Sequence, residues 1–248
     1  MGAACGPADG TMVAMVTVAD CERVQSSWFR ARAATLGGEV WTDDEVLWTD
    51  GPDGMNLMFP RALTAAGVRR GVDRARDLGR DIVGVWLSLE VDPAPLAEAG
   101  FERGWSPWWM TADLADVPVT RDPRVGLEQD SSDYEGEFAS YREQLALTRQ
   151  RPARAWYAAA HTPGHFAGRA WSYRDGDLAG VFDMEVWPEF QRTGLGTALL
   201  ATVCAAAREA GAEHAVLNAT PDGERLYRTC GFRRIGEGIT WWHHLGNG

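Results

Sequence analysis

The chain has 248 residues, of which 45% are hydrophobic and 24% charged, proportions typical of a soluble globular protein that can bury a sizeable core. Its formal net charge is −11, and all 24 basic residues are arginines. An acidic chain without a basic stripe argues against nucleic acid as a partner and is compatible with a cationic amine as substrate, while the absence of lysine excludes a lysine base.

The N-terminus predicts neither secretion nor a membrane anchor. The stretch MGAACGPADG has no basic region or long apolar run, and no later segment approaches bilayer-spanning length. Met1-Gly2 would suit N-myristoylation, but position 6 is glycine rather than serine or threonine. The cysteines show no metal-binding or disulfide spacing, which predicts reduced thiols in a cytoplasmic protein. They are Cys5, Cys21, Cys204 and Cys230.

The first half of the chain predicts a helix followed by a strand. An Ala/Arg-rich helical stretch runs into Arg76-Asp77-Leu78-Gly79-Arg80-Asp81, and the strand extends from Ile82 to Leu87. The segment Val117 to Gly126 contains two prolines and separates two patterned regions. We therefore expect a domain boundary there, with domains at residues 1–120 and 121–248.

The second half predicts a helix and then three consecutive strands. Ser131 to Glu135 have the composition of an N-cap, and the helix would extend to about Arg149. Turns at Thr162-Pro163-Gly164 and Asp175-Gly176-Asp177 separate the strands. The three strands are Arg154 to His161, His165 to Arg174 and Leu178 to Trp187. With the elements that follow, this order predicts a mixed α/β sheet flanked by helices.

The loop after the third strand is the most informative segment. Pro188 ends the strand, and Gln191-Arg192-Thr193-Gly194-Leu195-Gly196 then leads directly into an apolar helix from Thr197 to Ala210. Free backbone N–H groups and partial positive charge at a helix N-terminus favour a phosphate. Gly194 and Gly196 let an anion approach the main chain without a Cβ in the way. The sequence therefore predicts a phosphate-binding loop.

A second patterned segment follows this helix. His214 to Asn218 predicts a buried strand, and PDGERLYRTCGF predicts a short helix with Tyr227 and a turn at Gly231-Phe232. With both segments, the chain resembles the GNAT superfamily of acyl-CoA-dependent N-acetyltransferases over residues 126–240. The family's Q/R-x-x-G-x-G/A loop matches the segment from Gln191 to Gly196, and its LY…GF segment matches Leu226-Tyr227 and Gly231-Phe232.

The two halves share a pattern in register, which indicates an internal repeat. The paired segments are Arg76 to Asp81 with Arg208 to Glu213, Ala99-Gly100-Phe101 with Cys230-Gly231-Phe232, and Trp108-Trp109 with Trp241-Trp242. Opposite the glycine loop lies Phe59 to Thr64, which has no glycine, and opposite Tyr227 lies Leu96, which cannot donate a proton. The chain thus resembles a tandem GNAT protein with a degenerate N-terminal unit, each unit a mixed, mostly antiparallel sheet flanked by helices.

Tryptophans are concentrated in the first half. We expect most of them in the core and a minority in an acceptor pocket between the halves. An exposed tryptophan-rich face would favour self-association, which leaves a homodimer open. The seven are Trp28, Trp41, Trp48, Trp86, Trp105, Trp108 and Trp109.

The resemblance implies transfer of an acetyl group from acetyl-CoA to a primary amine of a small molecule or peptide by direct attack. The alternative is a non-catalytic CoA-binding or ligand-sensing module. The resemblance assigns the pyrophosphate to the loop and helix start, the pantetheine to Met184 and Val186, and a hydrogen bond to pantetheine or a bridging water to Asn218. A strand-end cap is an equal alternative for Asn218. The loop positions are Gln191, Arg192, Thr193, Gly194, Leu195, Gly196 and Thr197.

Tyr227 is the candidate general acid toward the departing thiolate, because an ordinary tyrosine pKa near 10 keeps it protonated at neutral pH. The alternative is aromatic packing. Asp183, Glu185 and Trp187 alternate along a strand and are expected to share one face. Glu185 is the candidate base, with Asp183 or water as alternatives, and Trp187 offers a cation–π face. We expect no metal, since the histidines lack cysteine or acidic partners at ligand spacing.

Overall fold

Two mixed β-sheets, one of six and one of seven strands, form the framework of the protein in the computed structural model. The structure describes residues 15–43, 46–51, 54–130 and 139–246. The myristoylation and signal-peptide expectations at the N-terminus, Cys5 and the N-cap at Ser131 to Glu135 lie outside these residues.

The first half contains three helices and six strands within the described residues. Its first helix begins at a capping box, in which the Thr17 side chain and Asp20 satisfy each other's backbone N–H groups. The elements are α1 (Val18–Thr35), β1 (Val40–Asp43), β2 (Val46–Gly51), β3 (Gly54–Met58), α2 (Ala65–Asp77), β4 (Ile82–Leu87), α3 (Ala94–Glu98), β5 (Glu102–Arg103) and β6 (Trp108–Asp113).

The second half follows the predicted order of elements. The four strands for which bounds were predicted and the long helix agree with those bounds to within two residues. The end of the helix predicted to reach Arg149 is a 3₁₀ turn, Leu145–Arg149, and a second 3₁₀ turn lies at Pro188–Phe190. The elements are β7 (Val125–Glu128), α4 (Ala139–Gln144), β8 (Ala155–Thr162), β9 (His165–Asp175), β10 (Leu178–Val186), α5 (Leu195–Glu209), β11 (His214–Ala219), α6 (Pro221–Thr229), β12 (Arg233–Glu237) and β13 (Ile239–His244).

Both sheets are built on the same plan. Antiparallel strands lead to one parallel pair, which is β3 with β4 in one sheet and β10 with β11 in the other. A helix connects the two strands of each parallel pair, α2 in the first half and α5 in the second. The glycine loop therefore lies between β10 and α5, and the glycine-free segment from Phe59 to Thr64 occupies the matching place between β3 and α2.

The two halves exchange one strand each. Strand β6 lies between β11 and β12 in the seven-stranded sheet, and β13 lies between β4 and β5 in the six-stranded sheet. Each sheet therefore contains a strand from the other half of the chain. The domain boundary near residue 120 stays a prediction, and a cut there would leave each sheet without one of its inner strands.

Helix α1 belongs to the first half of the chain but packs against the sheet of the second half. Its buried face packs on the seven-stranded sheet, where Trp28 stacks on Phe182 with ring centroids 5.0 Å apart and lies 5.5 Å from Trp171. Cys21 and Val24 belong to the same apolar cluster. Burial of these side chains fixes α1 over the carboxyl end of β10, beside the candidate site.

No helix in the described ranges is long and apolar enough to cross a membrane. All 12 tryptophans fall within those ranges, and each is buried or half-buried. The exposed tryptophan-rich face that would favour self-association is therefore not present.

Candidate functional site

A cavity of about 1060 Å³ opens where β10 and β11 separate. The parallel pairing of these strands ends at Val181 and Leu217. The next residues of β10 stay paired with β9 on one side and line the cavity on the side that β11 has left. Loops and helices at the carboxyl ends of parallel strands commonly form binding sites. Here the cavity extends from the glycine loop to side chains of the first half of the chain.

The end of β10 presents one backbone N–H to this cavity. Trp187 N–H donates to the Ala167 carbonyl at 3.0 Å, so Trp187 is a hydrogen-bonded position of the antiparallel pair with β9. Since such positions alternate, Val186 directs its N–H and carbonyl away from β9, toward the cavity that it lines. The Gln191 side chain donates to that Val186 carbonyl at 3.1 Å, which agrees with this direction.

A β-bulge interrupts β10 just before this point. The register with β9 shifts between Phe182 and Glu185, and Asp183 has a left-handed backbone with φ of 46°. The strict alternation expected for Asp183, Glu185 and Trp187 is therefore broken. Gly168 allows the close approach of β9, since a Cβ there would lie 2.5 Å from the Glu185 carbonyl oxygen.

The glycine loop leaves the N-terminus of α5 open. Arg192 and Gly194 have φ values of 62° and 87°, and the 15-residue helix begins at Leu195 without a side-chain cap. Its first N–H groups and the helix dipole therefore face the cavity rim, where an anion is favoured. The backbone at Gly196 lies close to the Leu226 side chain, since a Cβ on Gly196 would be only 3.1 Å from it.

Side-chain hydrogen bonds hold the loop in this shape. The Thr193 hydroxyl donates to the Phe190 carbonyl at 2.6 Å, and Arg124 donates to the Thr193 carbonyl at 3.0 Å. Arg124 also forms a two-point ion pair with Asp122, and these hydrogen bonds lower the pKa of Asp122 to about 2. Arg124 is a loop-supporting residue that the sequence did not indicate, because it lies 69 positions before Thr193.

Replacement of Arg124 by alanine is expected to weaken binding of the predicted cofactor, acetyl-CoA, by about fivefold, because the hydrogen bond to the Thr193 carbonyl no longer fixes the loop. Calorimetric titration of the purified protein measures the change. Arg121→Ala is the matched control, since Arg121 is exposed in the same segment. Equal affinities of Arg124→Ala and Arg121→Ala would contradict a supporting role for Arg124.

Most of the predicted cofactor-binding residues line the cavity, and two do not. Thr193 takes part in the loop's internal hydrogen bonds, and Leu195 is 1% exposed in the core beneath α5. The Thr197 side chain contacts the Cys230 thiol. The cavity-lining members are Met184, Val186, Gln191, Arg192, Gly194, Gly196, Thr197 and Asn218.

Tyr227 lies on α6 at the place where β10 and β11 diverge. Its hydroxyl donates to the Met184 sulfur at 3.8 Å, and its ring packs 5.9 Å from Phe232. Burial, followed by the nearby Cys204 and Cys230, raises the pKa of Tyr227 to about 12. The side chain therefore carries its proton throughout the physiological pH range.

The buried thiols are poor nucleophiles. Burial raises the pKa of Cys21 and that of Cys204 to about 12 and also raises the pKa of Cys230. Nucleophilic attack needs the thiolate, which these values disfavour. Their positions in the cores agree with a packing role.

The acidic residues of β10 face the cavity, whereas Trp187 does not line it. Asp183 and Glu185 are exposed within it, and a Glu185 oxygen lies 3.6 Å from the largely buried guanidinium of Arg169. Trp187 instead packs against Phe166 at 5.5 Å and Arg169 at 5.6 Å. Its proposed cation–π face is thus already in contact with a protein cation.

Residues of the first half complete the cavity. The sequence analysis predicted only that some tryptophans of this half would line an acceptor pocket. The Asn218 amide donates to the Gln25 side-chain oxygen at 2.5 Å, so α1 touches the end of β11 directly. An aromatic wall surrounds this contact. The lining residues from the first half, with one from β13, are Gln25, Trp28, Phe29, Arg32, Trp86, Trp105 and Trp242.

Within the described part of the chain, no cluster of three or more His, Cys, Asp or Glu side chains has the arrangement to hold a metal ion. His161 pairs with Glu128 at 2.7 Å, and His243 contacts the Gly100 carbonyl at 3.0 Å. These two histidines have structural partners away from the cavity.

Comparison with known proteins gives matches over both halves. Residues 122–232 match the model of the acetyltransferase (GNAT) family. The chain is 31% identical over 176 residues to a mycothiol acetyltransferase of Clavibacter sepedonicus, covering 66% of this chain and 53% of that one. It is 33% identical over 186 residues to the one of Clavibacter michiganensis subsp. michiganensis, covering 70% and 55%. The chain therefore spans about half the length of the curated relatives it matches.

Solved structures with the same fold confirm the predicted fold class of two mixed sheets flanked by helices. A GCN5-related N-acetyltransferase from Kribbella flavida matches with a TM-score of 0.60 at 17% identity, over 90% of this chain and 96% of that one. A tandem GNAT protein from the clavulanic acid biosynthesis pathway matches with a TM-score of 0.51 at 18% identity, over 82% and 79%. Identities this low support the fold alone.

Proposed function

We propose that this chain transfers the acetyl group of acetyl-CoA to a primary amine of a small molecule or peptide, and the match of residues 122–232 to the model of the acetyltransferase (GNAT) family supports this proposal. The observation that carries the proposal is the continuous cavity between the open N-terminus of α5 and Tyr227. The chain would act as a tandem protein whose second unit, residues 121–248, is catalytic and whose first has lost its phosphate loop. Reduced cysteines suit a cytoplasmic location.

The loop and the start of α5 would bind the pyrophosphate of the cofactor. Backbone N–H groups between Gln191 and Thr197 would supply the donors, apart from that of Gln191, which donates to the Pro188 carbonyl at 3.3 Å. The helix dipole adds positive potential, and Arg192 at the rim adds a charged side chain. Bound acetyl-CoA supplies the activated acyl group as a thioester. Its pantetheine would run along Met184 to Val186, where β10 has no parallel strand beside it.

The reaction joins the amine nitrogen to the thioester carbon and breaks the carbon–sulfur bond. The Val186 N–H would donate to the carbonyl oxygen as negative charge develops there. Glu185, one residue earlier on the same cavity wall, would accept the ammonium proton directly or through water, with Asp183 as the alternative. Tyr227 would give its proton to the departing thiolate as the carbon–sulfur bond breaks, and it would regain a proton from the nitrogen that becomes the amide.

A mycothiol-related acceptor is a second candidate within the same activity. It rests on the two relatives with 31% and 33% identity, whose name contains mycothiol. The shared segment covers about half of each relative, so the acceptor of the relatives transfers to this chain as a hypothesis to include in the substrate panel.

The test is release of free CoA thiol by the purified full-length protein with acetyl-CoA and a panel of amines. The panel includes amino acids, polyamines, amino sugars and peptides with free N-termini. We expect amine-dependent thiol release with at least one class, and mass spectrometry of the product should show one added acetyl group. Binding of acetyl-CoA without turnover of any amine would instead support a non-catalytic CoA-binding module.

A further inference from the structure

The cavity has a second end, away from the phosphate loop, that the cofactor would not fill. Helix α1 contributes Gln25, Trp28, Phe29 and Arg32 to it, and five of its lining residues are aromatic residues from the first half or from β13. Phe29 and Trp86 meet edge to face at 5.8 Å, and Trp86 and Trp105 at 6.0 Å. Aromatic rings of this kind favour a ligand with an apolar central part over a ligand that is polar throughout.

Two buried N–H groups at this end have no hydrogen-bond partner among the described residues. One is Nε2 of Gln25, a residue 1% exposed whose Oε1 already accepts from Asn218. The other is Nε1 of Trp86, a residue 8% exposed. Buried donors are nearly always satisfied in folded proteins, so these two, on residues that line the cavity, are suited to a ligand that brings acceptor atoms.

A positive charge accompanies these donors. Arg32 is 7% exposed, lies 5.8 Å from the ring centres of both Trp28 and Phe29, and donates through Nε to Gln144 at 3.3 Å. The opposite wall carries the carboxylates of Asp183 and Glu185. Carboxylates therefore lie along β10, with Arg169 beside Glu185, and the Arg32 guanidinium lies with the two N–H donors along α1.

We propose that the acceptor is an amino carboxylate, an amine that bears a carboxylate and an apolar or aromatic body. This inference rests on the proposed acetyl transfer. The ammonium would face Asp183 and Glu185 beside the Val186 N–H, and the carboxylate oxygens would accept from Gln25 and Trp86 near Arg32. Charge-assisted hydrogen bonds of this kind discriminate strongly between an anion and a neutral group.

The chemistry is consistent with this placement. Acetylation forms the amide bond, releases CoA as the thiol and passes the ammonium proton to the base, so a zwitterionic acceptor becomes an anionic product. A polyamine fits the same cavity poorly, because its second ammonium would lie near Arg32.

Matched pairs of amines test the proposal with the full chain. L-tryptophan is compared with tryptamine and L-phenylalanine with phenethylamine, since each pair differs only in the carboxylate. Affinity is measured by calorimetry with CoA bound, and thiol release is measured with acetyl-CoA. We expect each amino acid to bind about tenfold to 100-fold more tightly than its partner amine and to have the higher kcat/KM.

Variants of Arg32 assign the preference to this end of the cavity. Arg32→Gln should reduce the ratio within each pair to about twofold, whereas Arg32→Lys, which keeps the charge, should retain part of it. Thermal unfolding with acetyl-CoA verifies that both variants fold and bind the cofactor. Equal or tighter binding of the decarboxylated amines, no binding of either amino acid at millimolar concentration, or an unchanged ratio in Arg32→Gln would overturn the proposal.

The two proposals fail in different ways. Lack of stabilisation by acetyl-CoA, or no thiol release with any amine, counts against acetyl transfer. A preference for the carboxylate-bearing amines in calorimetry would still stand in that case as a property of the cavity. Turnover confined to polyamines or other amines without a carboxylate would retain acetyl transfer and reject the amino carboxylate.

Discussion

Replacement of Tyr227 by phenylalanine is expected to lower kcat by about 100-fold, because general acid catalysis contributes about 10²–10⁴-fold and only the hydroxyl is removed. The ring would keep its packing on Phe232, so the fold should be retained. Steady-state thiol release with a substrate amine measures the change. Because the pKa of Tyr227 is raised to about 12, the hydroxyl should stay protonated at lower pH. Activity that depends on its proton should be lost only as the pH rises through about 12.

Tyr173→Phe is the matched control for this variant. Tyr173 lies on β9 against Trp28, in the core rather than on the cavity wall. Its substitution should leave kcat unchanged, and both variants should bind acetyl-CoA with the affinity of the parent protein. An unchanged kcat in Tyr227→Phe would remove the hydroxyl from the mechanism and leave protonation of the thiolate to water.

The fragment 121–248, although it carries every proposed catalytic residue, is expected not to fold by itself. It lacks β6, which lies between β11 and β12, and it lacks α1, which covers Trp171 and Phe182. Loss of several buried side chains worth about 1.5–3 kcal/mol each approaches the whole stability of a typical domain, about 5–15 kcal/mol. Circular dichroism and gel filtration of the fragment should show an unfolded or aggregated chain.

A nicked protein supplies the complementary experiment. A protease site inserted at Val119, which is 67% exposed between the halves, allows cleavage of the folded full-length chain. Because each half donates a strand to the other's sheet, the two pieces should stay together on gel filtration after cleavage. Separation into two folded monomers would show that the strand exchange is not needed for the stability of either half.

Local sequence patterns were sufficient to predict the elements around the glycine loop. A strand, a proline, two spaced glycines and an apolar helix occur in immediate succession, and the contacts they make are close in sequence. The predicted helix from Thr197 to Ala210 corresponds to α5 at Leu195–Glu209, and the predicted strand from His214 to Asn218 corresponds to β11. These elements depend on turn chemistry and on hydrophobic periodicity, which a single sequence contains.

The strand exchange could not be read from the same patterns. The tryptophan pairs at positions 108–109 and 241–242 predicted equivalent strands in the two halves. The alternation of side chains along a strand does not determine which sheet the strand joins. The bulge at Asp183 is similar, since one extra residue in a strand leaves no compositional mark. Gln25 and Arg124 act through contacts 193 and 69 positions apart, and neither lies in a recognisable motif.

The measurement that tests the central claim most directly is thermal unfolding with and without acetyl-CoA, for the parent protein and for variants of Gly194. Saturation at 100 times Kd should stabilise the parent by about 2.7 kcal/mol, or about 5–11 °C in Tm. Gly194→Glu and Gly194→Gln both place a side chain at a φ of 87° and therefore share the same backbone strain. Acetyl-CoA should raise the Tm less in the glutamate variant than in the glutamine variant. That difference measures the repulsion between the added carboxylate and the anionic cofactor. Gly176→Glu, at a positive φ in the turn between β9 and β10, should keep the full shift. Absence of any shift in the parent at millimolar acetyl-CoA, or an equal shift in Gly194→Glu, would contradict cofactor binding at this loop.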